Sequence, residues 1–325
     1  MRYIPNYELN IINEDEFPAA IKKIEEKLEQ IKVSGTFTAF DGINISYEYF
    51  LAENSNASVV IVHGLSEFTR KFYEFIYYLL NMGLNVFIYD QRCHGLSDRL
   101  TDNIELLHVD DFDDYVKDLS QFIDEVVLKT EDKPLYLYSN SMGGAISALY
   151  LSQNSSKIEK AILAVPMFEP IVDYVPMSIA RMGVAVGKLV YGGKTKFLLT
   201  KDFNPNVQYR VEHGSSRARF EHNMDLRREN PNYRSTPMSF GWIYNSLTVK
   251  RRIFRLKIIN KIKTPILIIS AEKDATVNNK LHYKFLNKCK NCRLENIENS
   301  AHSILVNDIE TMSRIMNLIF EFYSK

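Results

Sequence analysis

The stretch Leu135-Tyr136-Leu137-Tyr138-Ser139-Asn140-Ser141-Met142-Gly143-Gly144 decides how the whole chain is read. A short apolar strand pattern, Leu135–Tyr138, runs into a turn of small residues, and a helical pattern, Met142 to Gln153, leads away from it. A serine held small-x-Ser-x-Gly between a strand and a helix has the form of a nucleophile elbow. The turn is so tight that the residues two before and two after the serine must be small, and Ser139 and Gly143 both are. The helix that follows points its first N–H groups and its positive dipole end at the serine, which favours a developing oxyanion. Ser141 is therefore the candidate nucleophile.

Working outward, the same strand-then-helix rhythm repeats. Short apolar strands are expected at Ser58–Val62, Asn85–Tyr89, Leu135–Tyr138, Lys160–Val165, Pro265–Ile269 and Arg293–Ile297. Helices are expected near Phe68–Met82, Asp111–Leu128, Met142–Gln153, Asn278–Asn287 and Ser303–Tyr323. Strands that are apolar on both faces and alternate with helices imply an α/β fold, a mostly parallel sheet covered on both sides. Ligands in such sheets sit at the carboxyl ends of the strands. Ahead of this region, Gly35–Phe40 and Ile43–Phe50 flank Asp41-Gly42, a hairpin signal. Before that, Ile21, Ile24, Leu28 and Ile31 recur at helical spacing within Glu14–Ile31, an amphipathic helix packed on the body. The rhythm breaks between Pro166 and Lys257. The expected organisation is an N-terminal helical extension over 1–34, a core over 35–165 and 258–325, and an inserted, mainly helical cap over 166–257.

A hydroxyl nucleophile needs a base, and the base needs a partner that fixes its tautomer. His302 follows the last expected strand and Asp274 follows the one before it, in the chain order Ser, Asp, His. His94 is the rival base and Glu272 the rival acid. A second backbone donor for the oxyanion comes from the loop after the first buried strand, His63-Gly64-Leu65-Ser66-Glu67. The expected pair of donors is the N–H of Leu65 and the N–H of Met142. His63 reads as a structural histidine, and Glu67 as a loop brace, partnered by Arg70.

These motifs resemble those of the lysophospholipase and monoacylglycerol lipase branch of the α/β-hydrolases. The likeness is carried by the His63-Gly64 loop with Glu67, by Asp90 to Ser97, by the Ser141 elbow with Met142-Gly143-Gly144, and by the Asp274/His302 pair. His108 to Tyr115, Ala164 to Phe168 and Thr236-Pro237 to Trp242 look most like bacterial lysophospholipases. The resemblance spans Gly35 to the C-terminus. It implies the α/β-hydrolase fold, the triad Ser141, Asp274 and His302, and an oxyanion hole from Leu65 and Met142. Two positions depart from the family pattern: Ser139 and Cys93 both stand where glycine is usual.

The 325 residues carry 40 Lys plus Arg against 40 Asp plus Glu, so whole-chain charge names no partner. Its distribution is uneven. Lys194 to Lys257 holds 14 basic and 5 acidic residues, a net of +9. Arg217, Arg219, Arg227 and Arg228 are the expected substrate-binding residues, attracted to a phosphate headgroup or an anionic membrane surface. No nucleic-acid recognition motif accompanies them. Ile171 to Tyr191 is the most apolar stretch and suits an acyl tunnel, a membrane contact or cap core.

Met1 to Phe17 shows no signal peptide, and no run reaches the ~18 apolar residues of a membrane span. Three cysteines, Cys93, Cys289 and Cys292, suggest a reducing compartment, and the Cys289/Cys292 pair reads as surface thiols. The lone Cys-x-x-Cys lacks two zinc ligands, and Asp110, Asp111, Asp113 and Asp114 read as a helix start. The expectation is a cytoplasmic ester hydrolase with no metal, no cofactor, no nucleic acid and no obligate protein partner. Its substrate is a lipid-like small molecule, lysophospholipid first and monoacylglycerol second. A proline iminopeptidase-type peptidase and a non-catalytic binding protein are the alternatives. The first would need acidic residues for a free amine.

Overall fold

A computed structural model describes residues 10–172, 175–211 and 214–324, without the side chain of residue 256. The first nine residues of the expected N-terminal extension, with Asp173 and Glu212, lie outside the described residues.

Eight strands form one sheet in the order β1-β2-β4-β3-β5-β6-β7-β8. β1 (Val33–Thr38) and β2 (Asn44–Phe50) make the hairpin expected around Asp41-Gly42, with Thr38 opposite Asn44 and Gly42 at φ +90°. β2 runs antiparallel to β4 (Leu84–Tyr89). From β4 onward the pairing is parallel, through β3 (Ala57–Val62), β5 (Leu135–Asn140), β6 (Lys160–Ala164), β7 (Ile266–Ala271) and β8 (Cys292–Ile297). β3, β4, β5 and β7 are buried along their whole length, as strands covered on both faces must be.

One face is covered by α1 (Phe17–Ile31), α2 (Tyr73–Asn81) and α11 (Ile309–Ser324), which pack on Val59, Ile61, Ile88 and Ile269. Phe17, Ile21, Ile24 and Leu28 are the buried stripe of α1, and Pro18 starts the helix where its missing N–H is no loss. Ile31, expected in that stripe, is exposed instead because the helix ends there. The opposite face is covered by α3 (Phe112–Phe122), α5 (Met142–Asn154) and α10 (Lys280–Leu286). Asp111 caps α3 in a reciprocal capping box with Asp114, so the acidic run is a helix start. α3 continues through a π-helical turn into the short α4 (Leu128–Thr130). Cys289, expected at the surface, is buried in this core.

Between β6 and β7 the chain leaves the sheet and forms α6 (Met177–Tyr191), α7 (Arg217–Glu229), α8 (Phe240–Ile253) and α9 (Leu256–Ile259). α8 is part of the main core, since Trp242, Val249 and Ile253 pack there. α6 stands further out. Its Val184 packs on Phe240 and Leu247, while Met182, Val186, Leu189 and Val190 face solvent.

The chain runs from β3 out to β4, then returns to β5 on the other side of β3. The carboxyl ends of β3 and β5 therefore flank a topological switch point, where a crevice opens in such sheets. His63-Gly64 leaves β3 there, and Ser141 leaves β5.

Candidate active site

Ser141 sits in the turn between β5 and α5 at φ +50°, ψ −112°. A non-glycine residue holds such a conformation only when its surroundings enforce it. The enforcement is local. The Ser141 N–H donates to Ala164 O at 2.9 Å, and Ser141 O accepts from Met167 N–H at 2.9 Å. A Cβ on Gly143 would collide with the Val62 carbonyl, and one on Gly144 with Pro166. The two glycines let α5 press against the ends of β3 and β6. Ser139, where the resembled family has glycine, fits because its hydroxyl shares a 2.6 Å hydrogen bond with the buried Ser147 hydroxyl on α5.

The structure brings Ser141, His302 and Asp274 together across 161 and 28 residues of sequence. Ser141 Oγ lies 2.8 Å from His302 Nε2, and His302 Nδ1 lies 2.7 Å from Asp274 Oδ2. The Asp274 side chain is fully covered, and its Oδ1 accepts the Thr276 and Val277 N–H groups at 2.8 and 3.0 Å. Burial alone would raise its pKa. The hydrogen bond and charge of His302 and the two amides outweigh burial and hold the carboxyl below its ordinary range. An anionic Asp274 fixes the proton on His302 Nδ1 and leaves Nε2 free to accept the Ser141 proton.

The two rivals are employed elsewhere. His94 is fully buried, with Nδ1 against Arg92 O at 2.9 Å and its ring edge-on to His63. Burial pushes its pKa well down. Glu272 Oε2 accepts the Asn299 N–H at 2.8 Å and so pins the loop that carries His302.

The loop expected to supply an oxyanion donor is organised around Glu67. Gly64 passes so close to the nucleophile that a Cβ there would lie 3.1 Å from Ser141 Cβ and 3.2 Å from Asn140 O. Met142 opens α5, so its N–H has no intrahelical acceptor and faces the elbow. Leu65 follows Gly64 in the adjoining turn. One oxygen of Glu67 accepts both Gly64 N–H at 2.6 Å and Asn140 Nδ2–H at 2.9 Å, and the other takes Lys71 Nζ at 2.6 Å. Burial raises the Glu67 pKa, but Lys71, Asn140 and His63 outweigh it and the carboxyl stays low. The expected brace is thus present with Lys71 as partner. Arg70 instead reaches Glu25 and Glu29 on α1. His63 bonds the loop as expected, with Nδ1 at Gly64 O and Nε2 accepting from Gln91 N–H.

The Asp90 to Ser97 motif supports this loop from behind. Asp90 Oδ1 accepts from the backbone and hydroxyl of Thr69 at 2.7 and 2.9 Å, and Oδ2 from Leu96 N–H at 2.7 Å. Arg92 clamps Asp118 on α3 through two 2.7 Å bonds, both side chains buried. Cys93 sits at φ +63°, a left-handed conformation that accounts for the usual glycine there.

The four candidate arginines separate. Arg219 is buried and gives its guanidinium to Glu74 on α2 and to Ile12 O, so it fastens α7 to the body and cannot reach a substrate. Arg228 pairs with Asp225 at 2.6 Å and bonds Pro205 O. Arg217 is exposed at the start of α7, near Glu221. Only Arg227 faces the groove beside the His302 loop. Lys250 and Arg252 are likewise committed, to Glu169 and to Asp111 and Asp113. A basic count along the sequence cannot separate a free cation from a paired one.

Sequence reasoning missed His282. It is buried on α10, with Nδ1 2.9 Å from Ser270 Oγ and Nε2 2.9 Å from Pro166 O. It ties β7 to the segment that leaves β6. The α10 position alone gave no sign of these partners.

Among the described residues, no helix is long and apolar enough to cross a membrane. The chain is similar to lysophospholipase L2 of Escherichia coli K12, with 29% identity over 309 residues, covering 89% of this chain and 86% of that one. Monoglyceride lipase of Mus musculus is 28% identical over 151 residues, 46% of this chain and 47% of that one. In fold the chain matches the solved structure of a soluble monoglyceride lipase variant from Saccharomyces cerevisiae with a substrate analog. That match has a TM-score of 0.72 at 17% identity and covers 97% and 96% of the two chains. The family described as "Serine aminopeptidase, S33" matches residues 53–310. With that match over most of its length, and a nucleophile elbow at the switch point of an α/β sheet, the chain belongs to this Hydrolase_4 family of α/β-hydrolases.

Proposed function

We propose that this protein hydrolyses the carboxylic ester of a single-chain lipid, lysophospholipid first and monoacylglycerol second, through an acyl-enzyme. The observation that carries the reading is the continuous hydrogen-bonded chain from Ser141 Oγ through His302 to a buried Asp274. Ser141 Oγ attacks the ester carbonyl while His302 Nε2 takes its proton. The N–H groups of Leu65 and Met142 hold the oxyanion, and the dipole of α5 adds to them; donors of this kind are worth about 10²–10³ each in kcat. His302 then gives the proton to the glycerol oxygen as the bond breaks. Water, deprotonated by the same imidazole, releases the fatty acid.

The similarity to a protein named lysophospholipase L2 extends over most of both chains, and that to a monoglyceride lipase over about half. This supports the order of substrates. A peptidase reading would call for carboxylates near the site to hold a free amine, whereas the charged residues described in the groove beside the His302 loop are four cations and one carboxylate. We also propose peripheral contact with an anionic membrane surface. Leu189, Val190, Leu198 and Leu199 are 65–86% exposed on and just after α6, an apolar patch beside a basic segment.

A fluorophosphonate should label Ser141 alone, and a panel of lysophospholipids, monoacylglycerols, short aryl esters and aminopeptidase substrates should rank the lipid esters first. Labelling that survives Ser141→Ala, or a preference for peptides, would refute the reading.

A further inference from the structure

In ester cleavage the leaving alcohol departs past the group that protonates it. On the hydrolase reading above, on which this inference rests, that group is His302, so the glycerol end of the substrate lies on the His302 side. A groove of about 680 Å³ opens there. Ser303 and Val306, on the loop just after His302, form part of its wall. Lys71, held by the same Glu67 that braces Gly64 and Asn140, stands at the oxyanion-loop end. The groove therefore runs between the loop that follows His302 and the Lys71 side chain that Glu67 holds.

Its lining is cationic. Lys71, Lys201, Arg210 and Arg227 contribute, and the one carboxylate among the described lining residues, Asp202, is paired with Lys196 at 2.6 Å. Arg227 is the telling member. Its guanidinium donates to Tyr233 O at 3.1 Å, Ser235 O at 3.4 Å and Thr236 Oγ1 at 2.5 Å, and lies over the Phe203 ring. All of these acceptors are uncharged; the Glu105 carboxylate acts on Arg227 by charge alone, with no ion pair or hydrogen bond between them among the described residues. Burial presses its pKa down to about 10, so it keeps its charge at neutral pH. A half-buried cation with no carboxylate in direct contact is costly, and an anion delivered to the groove supplies a direct partner.

We propose that this groove binds the phosphodiester of a lysophospholipid's glycerophosphate headgroup. Arg227 supplies the fixed charge beneath it, and Lys201 and Arg210 supply donors at the rim. The headgroup reader is thus the groove beside Ser303, whose lining includes neither Arg217 nor Arg228. This makes lysophospholipid the favoured substrate over monoacylglycerol by a named contact.

The test uses the full chain and glycerol 3-phosphate, which carries the phosphate without the acyl chain. Calorimetry should detect its binding, with inorganic phosphate and glycerol each weaker, and it should competitively inhibit hydrolysis of a small aryl ester. The double variant Lys201→Gln/Arg210→Gln should weaken glycerol 3-phosphate binding about tenfold, the scale of lost charge-assisted hydrogen bonds. It should lower by a similar factor the ratio of kcat/KM for lysophosphatidylcholine to that for a monoacylglycerol of the same acyl chain, through KM. Arg227→Gln should do the same, and the rim variant keeps the test decisive if that one unfolds. The proposal is overturned if glycerol 3-phosphate binds no better than inorganic phosphate and does not inhibit, or if the substrate ratio is unmoved in the rim variant. Aryl-ester turnover that persists in Ser141→Ala would instead sink the hydrolase reading, while the binding measurement would still report on the groove.

Discussion

Glu67 Oε2 accepts a 2.9 Å hydrogen bond from Asn140 Nδ2, joining the loop after β3 to the residue just before the nucleophile, 73 positions away. The same oxygen holds Gly64 N–H, so one buried anion sets the spacing between Leu65 and Ser141. Glutamine at 67 has one acceptor oxygen for three donors, because its amide nitrogen faces groups that also donate. Glu67→Gln should lower kcat about 10–100-fold, with KM little changed, since an oxyanion donor acts mainly in the transition state. Steady-state kinetics on a short aryl ester checks this. A rise in KM at constant kcat would show that Glu67 serves binding only.

The triad should behave as a unit. Ser141→Ala and His302→Ala should each cost on the order of 10⁶ in kcat, and Asp274→Asn about 10⁴, because asparagine leaves the imidazole in the wrong tautomer. Additive losses in the Ser141→Ala/His302→Ala double variant would contradict the shared pathway.

Two glycines should respond in opposite ways. A methyl on Gly143 meets the carbonyls of Val62 and His63, so Gly143→Ala should destabilise by about 3 kcal/mol, the scale of a forced clash, and cost activity. Gly183, within α6, has open space around it. Gly183→Ala should stabilise by about 0.5–1 kcal/mol through helix propensity. Denaturant unfolding measures both.

His282 makes stability depend on pH. Burial presses its pKa from 6.5 down to about 4, so the folded state holds the ring neutral where the unfolded chain would protonate it. The unfolded state then binds more protons, and stability is lost as pH falls from about 6.5 towards 4. The contribution is on the order of 3 kcal/mol. Unfolding free energies over this range should fall less steeply in His282→Gln than in the wild type. Parallel curves would remove His282 as the cause.

The exposed apolar patch should matter for membranes. Leu189→Glu with Leu199→Glu should reduce co-sedimentation with phosphatidylglycerol vesicles severalfold while the melting temperature stays within a few degrees. Unaltered co-sedimentation would exclude this patch as the contact.

The sequence by itself determined the sheet, the elbow and the order of the chemistry. Apolar strands alternating with helices allow few arrangements, and Ser139 to Gly144 between Tyr138 and Ala145 has one sensible geometry. The hairpin at Asp41-Gly42 and the helix start at Asp111 were legible for the same reason, because turn and cap chemistry is local. What only the tertiary structure decided is pairwise and long-range. Arg219 reads along the chain as one more basic residue of the cap, but the fold buries it against Glu74, 145 residues away. Glu67 reads as a loop brace, but its partners are Lys71 and Asn140, the second arriving from another strand. Arg227 and Arg228 are neighbours in sequence, yet one touches only uncharged acceptors, in the groove beside the His302 loop, and the other pairs with Asp225. Charge pairing depends on distance in space, and sequence records distance only along the chain.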